Sequence, residues 1–246
     1  MTAQMVMSAV LGLPALLWTG LPNAAALPWI AGSTGINLVI VTALLRAYGL
    51  IGFGTAYPVV RALSVMLVTP LATLLSGELL SGYGLMGIGL IVASLLLLAL
   101  GNKGDAAVPR TALFWMGLAG LATAGYVLCD SQGVRHAGSP LAYGFVVSAT
   151  NAAAMFVFQG FAARQWRSVA THASIAVPIA LASTVSYLLI LWVWAHAPVA
   201  PASALRDTSS IFAIVIAIVF LREPFTKLRL LAILLSAAAV PLLRLA

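Results

Sequence analysis

Four ionisable side chains, Arg61, Asp130, Arg206 and Asp207, fall inside stretches that are otherwise apolar. Placing a charge at such a position costs ~2.5–3.5 kcal/mol on insertion scales, so each is expected to face a cavity or a partner. Arg61 and Arg206 could each hold a substrate anion or a hydrogen-bond acceptor. Both also lie about six residues, or ~9 Å of helical rise, into their runs, where a long side chain can snorkel to an interface. Asp207 follows Arg206 directly, and adjacent residues do not face each other on a helix, so the two do not neutralise one another. Asp207 is a candidate charge partner or proton carrier, and near the start of its run it is also placed to cap a helix N-terminus. Asp130, in "GYVLCDSQGVR", is a candidate proton carrier or an ion-pair partner for Arg135 or Arg206.

Neutral polar groups widen the set. Asn37 and Asn151 sit near the middles of their runs, where an amide bridges helices or holds a substrate. Tyr57, Tyr126 and Ser209 are further candidates for substrate contact. Together with Tyr48, Tyr187, Trp115, Trp192 and Trp194, the tyrosines could line a cavity or form belts at the membrane interface. His136, His172 and His196 are far apart and lack metal-site spacing, Cys129 is the only cysteine, and no HExxH, GxSxG or GxxxxGKS motif occurs. No metal, cofactor or nucleotide is therefore expected, an enzyme is not, and transport would draw on gradients.

The elements that position these groups follow from composition. Of 246 residues, 63% are hydrophobic and 7% charged, with a mean hydropathy of +1.11, far from a soluble domain. The first 45 residues and the stretches 47–60, 62–77, 79–102 and 168–205 contain no Asp, Glu, Lys or Arg. Continuous Leu/Ala/Val/Ile blocks predict transmembrane helices rather than the short alternating segments of a barrel. Nine spans are predicted, at 4–20, 27–48, 55–76, 83–101, 111–133, 141–163, 173–197, 201–221 and 226–245, in an all-α polytopic membrane protein. The net charge of +7 sits mainly between these runs, which points to lipid headgroups and loop bias, and away from nucleic acid.

The stretch Gly101–Arg110 reads as a linker between two related halves. A shift of 145 positions carries Arg61 onto Arg206, Ser64 onto Ser209, Glu78 onto Glu223 and Ser81 onto Thr226. The expected division is 1–101, 102–110 and 111–246, with four helices before the linker and five after. The missing first helix predicts either its loss or a start at an internal methionine. Halves of five helices would enter the membrane in opposite senses, the inverted-repeat arrangement of many transporters.

Three strings carry a family resemblance: "LLRAYGLIGFGTAYPVVRALSVMLVTPLATLLSGELLS", "YVLCDSQGVRHAGSPLAYGF" and "ALRDTSSIFAIVIAIVFLREPFTKLRLLAILL". They resemble the EamA-type, ten-helix members of the drug/metabolite transporter superfamily. The resemblance implies a multi-pass protein of the cytoplasmic membrane that moves amino acids, drugs or related metabolites by alternating access, with efflux by proton exchange. Its implied partners are the bilayer, a small-molecule substrate and the proton. Two features depart from the pattern: the first helix, and the basic second-half turn "LREPFTKLR". A non-transporting paralogue or accessory subunit is the alternative that a missing helix supports.

Orientation has two readings. One set of loops carries Arg46, Lys103, Arg110, Arg164, Arg167, Arg222, Lys227 and Arg229, and the other only Arg135 and Arg244. Positive-inside bias then puts the N-terminus inside and the C-terminus outside. The resemblance implies a C-terminus inside.

Overall fold

A computed structural model describes residues 2–77, 81–101, 108–159, 173–209 and 227–245, and among them the secondary structure is helical, with no strand. In chain order the helices are α1 (Thr2–Thr19), α2 (Leu27–Ile51), α3 (Phe53–Ser76), α4 (Gly82–Gly101) and α5 (Arg110–His136). There follow α6 (Pro140–Gln159), α7 (Ala173–His196), α8 (Val199–Asp207) and α9 (Lys227–Arg244). Six of the predicted spans are long and apolar enough to cross a membrane: Ala24–Ile51, Thr55–Leu75, Gly82–Leu100, Arg110–His136, Pro140–Phe158 and Ala176–His196. Gln4–Thr19 and Leu230–Leu243 are shorter apolar helices. The rest of the predicted span 201–221 beyond Ser209, the linker residues 102–107, and Glu78, Glu223 and Thr226 of the repeat lie outside the described residues.

Local chemistry sets the helix ends. Gly52, at φ +79°, separates α2 from α3 by one residue while its N–H still reaches the Tyr48 carbonyl at 3.0 Å. Gly77, at φ +64°, closes α3 in the left-handed conformation that glycine adopts at least cost. Ser81 caps α4 by accepting the Gly84 N–H at 3.2 Å, and Ser139 caps α6 by accepting that of Ala142 at 3.3 Å. Pro140 then takes the first helical position, where no N–H is needed.

Lipid is the solvent these surfaces fit. Trp18, Leu17, Leu74, Phe114, Phe158 and Leu189 are all exposed, an apolar exterior that water would penalise. The protein is a multi-pass helical membrane protein.

The helices form two compact units: residues 1–38 with 129–197, and residues 39–128 with 198–246. This grouping by packing differs in kind from the sequence division at the linker, and α2 and α5 each contribute to both units. In the first unit α1 packs on α6 and α7, and α6 on α7. Tyr143, Val147, Leu191 and Trp194 are fully buried there. In the second, Ala43, Ala47, Ala56, Val60, Met116 and Ala119 form a core whose four alanines let α2, α3 and α5 approach closely.

Also in the second unit, α4 meets α9 through a polar pair. Ser94 Oγ donates to the Ala232 carbonyl at 2.8 Å, and Ser236 Oγ donates to Ser94 Oγ at 2.8 Å. Ser94→Ala removes both bonds, and we expect a loss of about 1 kcal/mol by equilibrium unfolding in mixed micelles.

Candidate functional site

Three helices of the first unit each bring a hydroxyl to Asp130. The carboxylate rides on α5 and is fully buried. Ser33 Oγ, from α2, donates to Oδ1 at 2.6 Å; Tyr143 Oη, from α6, donates to Oδ1 at 3.0 Å; Tyr187 Oη, from α7, donates to Oδ2 at 2.6 Å. The two 2.6 Å bonds have the length of an O–H donating to an ionised oxygen. Three neutral donors thus share the acceptor sites of one carboxylate, which has room for about four.

The surrounding packing is tight. A Cβ on Gly133 would meet the ring and hydroxyl of Tyr143, and a Cβ on Gly32 would lie 3.0 Å from Cys129 Sγ. Cys129 Sγ donates to the Trp29 carbonyl at 3.1 Å, one residue from the acid. Gly133→Ala should therefore displace the Tyr143 phenol from Asp130 at a cost of about 1–3 kcal/mol. Thermal unfolding of the purified protein reads this, and Gly117→Ala, at a glycine with no neighbouring atom within 4 Å, is the control.

Arg135, one of the two cations expected to pair with Asp130, sends Nε to the Trp194 carbonyl at 3.0 Å and Nη2 to that of Ala197 at 3.2 Å. Ser33 and Tyr143 were not among the expected site residues. Tyr143 follows the short turn "HAGSP" that joins α5 to α6, but nothing in the sequence sets its register against Asp130. Ser33 carried no signal either. Tyr187 and Trp194 turn inward rather than joining an interfacial belt, Trp194 being fully buried.

The two asparagines belong to the same unit. Thr34 on α2 and Thr150 on α6 share a 2.8 Å hydrogen bond, and Asn37 and Asn151 follow them along their helices. Each asparagine has a buried Oδ1 with no hydrogen-bond partner among the described residues. Neither oxygen joins the helices; each offers an acceptor.

The second unit holds the remaining charges. Arg61 Nη2 on α3 forms an ion pair with Asp207 Oδ1 on α8. This overturns the expectation that Asp207 caps its helix: α8 begins at Val199, after Pro198, so Asp207 is the ninth helical residue and beyond the reach of the first-turn N–H groups. Arg206 is half-buried, and it lies within electrostatic reach of Arg61, as do Tyr48 and Tyr57. Tyr57 stacks on Phe53 with centroids 5.0 Å apart, and Tyr48 meets the same ring edge-on at 5.2 Å. Tyr126 is half-buried on α5, and Ser209 is exposed at the end of the described stretch. Arg46, further along α2, lies over the Trp115 ring at 5.2 Å.

Apolar spans, two compact helical units and buried charged side chains on helices define a class, the polytopic helical membrane proteins. The sequence matches the EamA-like transporter family over residues 110–245, more than half of the chain, and the protein belongs to that family. It is a membrane transporter of the drug/metabolite transporter superfamily. A crystal structure of a protein 16% identical in sequence superposes with a TM-score of 0.71, covering 99% of this chain and 85% of that one, a likeness of fold. No curated protein matches.

Proposed function

We propose that the protein is a secondary carrier of the cytoplasmic membrane that moves a small organic metabolite by alternating access between two inverted repeats, residues 1–101 and 111–246. Export is driven by exchange with protons bound at Asp130. The observation that carries this reading is the buried carboxylate under three hydroxyl donors from three other helices.

The proton chemistry follows from donor counting. Ionised, Asp130 only accepts, and all three hydroxyls satisfy it. Protonated at Oδ2, it becomes a donor along the line to Tyr187, whose hydroxyl must then accept and turn its own proton elsewhere. One proton therefore removes one charge and reverses one interhelical hydrogen bond, which ties protonation to the packing of α5 against α7. A carrier needs such a link for a proton gradient to bias its conformation. Within the second unit Arg61, Arg206, Tyr57, Tyr126 and Ser209 are proposed substrate contacts and Asp207 is a charge partner; within the first, Asn37 and Asn151 are proposed contacts.

The test is exchange by the purified protein in liposomes against a panel of radiolabelled amino acids, organic acids and amines, with and without an imposed pH gradient. We expect at least one compound to accumulate several-fold more with the gradient. Accumulation that is equal under both conditions would remove proton exchange from the mechanism.

A further inference from the structure

We infer that the Arg61–Asp207–Arg206 cluster is a binding site for one organic carboxylate, held on the Arg206 guanidinium. As a statement about cargo this rests on the carrier reading above; as a statement about binding it does not.

Charge counting comes first. Two guanidiniums and one carboxylate leave the cluster with one positive charge in excess. Asp207 is engaged by Arg61, and as the immediate neighbour of Arg206 it cannot also face it. Among the described residues Arg206 makes no ion pair or hydrogen bond, and its charge is close enough to that of Arg61 to repel it. A cation so placed calls for an anion.

The internal repeat explains why no carboxylate among the described residues answers Arg206. The shift that carries Arg61 onto Arg206 carries Ala62 onto Asp207. A symmetrical chain would put a carboxylate at position 62, on the helix that packs against α8; this one has a fully buried methyl. The second repeat thus supplies an acid to the first repeat's arginine, and position 62 returns none.

A second donor lies beside the excess charge. Ser203 is 7% exposed, and its hydroxyl has no partner among the described residues. It precedes Arg206 by three positions and Asp207 by four, so on the surface of α8 it is next to each of them. A planar guanidinium fork with an adjacent hydroxyl suits a carboxylate, which takes two parallel N–H bonds and still accepts an O–H. Amides and amines lack the charge that the site is built to neutralise.

Thermal unfolding of the full chain in neutral detergent, with acetate, hexanoate and benzoate set against the corresponding primary amides, tests the site without requiring transport. At least one carboxylate should raise the midpoint by about 5 °C near saturation, while its amide leaves it unchanged. Arg206→Gln should abolish the shift, and Arg206→Lys should weaken binding roughly tenfold by losing the fork. Ala62→Asp, by supplying the missing acid, should also abolish it; if that variant misfolds, the two Arg206 variants still decide. Equal shifts from amides, shifts that persist in Arg206→Gln, or an Arg206-dependent shift produced only by phosphatidylglycerol would each overturn the proposal. A carboxylate that binds through Arg206 yet is not moved in liposomes leaves the site standing and removes the carrier reading. An uncharged cargo moved regardless of Arg206 does the opposite.

Discussion

Asp207→Asn should destabilise the protein by about 3–5 kcal/mol, and adding Arg61→Gln should restore most of that loss. The ion pair joins α3 to α8, and Asp207 is 5% exposed. Removing only the acid leaves the Arg61 guanidinium desolvated beside Arg206, so an attraction is replaced by repulsion. Arg61→Gln alone leaves Asp207 buried without its cation and should be harmful too. The double variant removes both charges, and the coupling energy from the four-member cycle should be large and favourable to the pair. Equilibrium unfolding in mixed micelles measures it, and a coupling energy near zero would show that Arg61 and Asp207 act independently.

Asp130→Asn is expected to have the largest effect on function. The amide oxygen can still accept from Ser33 and Tyr143, but the amide nitrogen now points a donor at Tyr187 Oη. A phenol both donates and accepts, so Tyr187 can turn and accommodate it. The variant therefore mimics the protonated acid and should fold, with a stability change of about 1–2 kcal/mol. What it should lose is the dependence of exchange on the pH gradient, since no proton can leave. Tyr187→Phe removes one donor but keeps the acid, so it should retain exchange and shift its pH dependence.

The helical membrane fold was legible because bilayer thickness imposes span length, and runs free of charge report it directly. The charges themselves stood out against an apolar background, so Arg61, Asp130, Arg206 and Asp207 were visible as special. Their partners were not. Asp130 is satisfied by Ser33, Tyr143 and Tyr187, residue types that recur in membrane helices for many reasons, and only the packing of α2, α5, α6 and α7 selects these three. Asp207 is the seventh residue of the predicted span 201–221 and the ninth of the observed helix, which begins at Val199 behind Pro198, so its distance from the start rules out capping and its partner on α3 is set by packing alone. Repeat counting marked Arg61 and Arg206 as equivalents, yet an ion pair between Arg61 and the unmatched Asp207 requires knowing which helix lies opposite.

The central claim, that Asp130 carries the exchanged proton, is tested most directly in liposomes that contain trapped pyranine. Addition of an exchanged substrate outside should alkalinise the lumen with the wild-type protein, as substrate enters and protons leave. With Asp130→Asn the labelled substrate should still enter while lumenal pH stays constant. Lumenal alkalinisation by Asp130→Asn at the wild-type number of protons per substrate would contradict it.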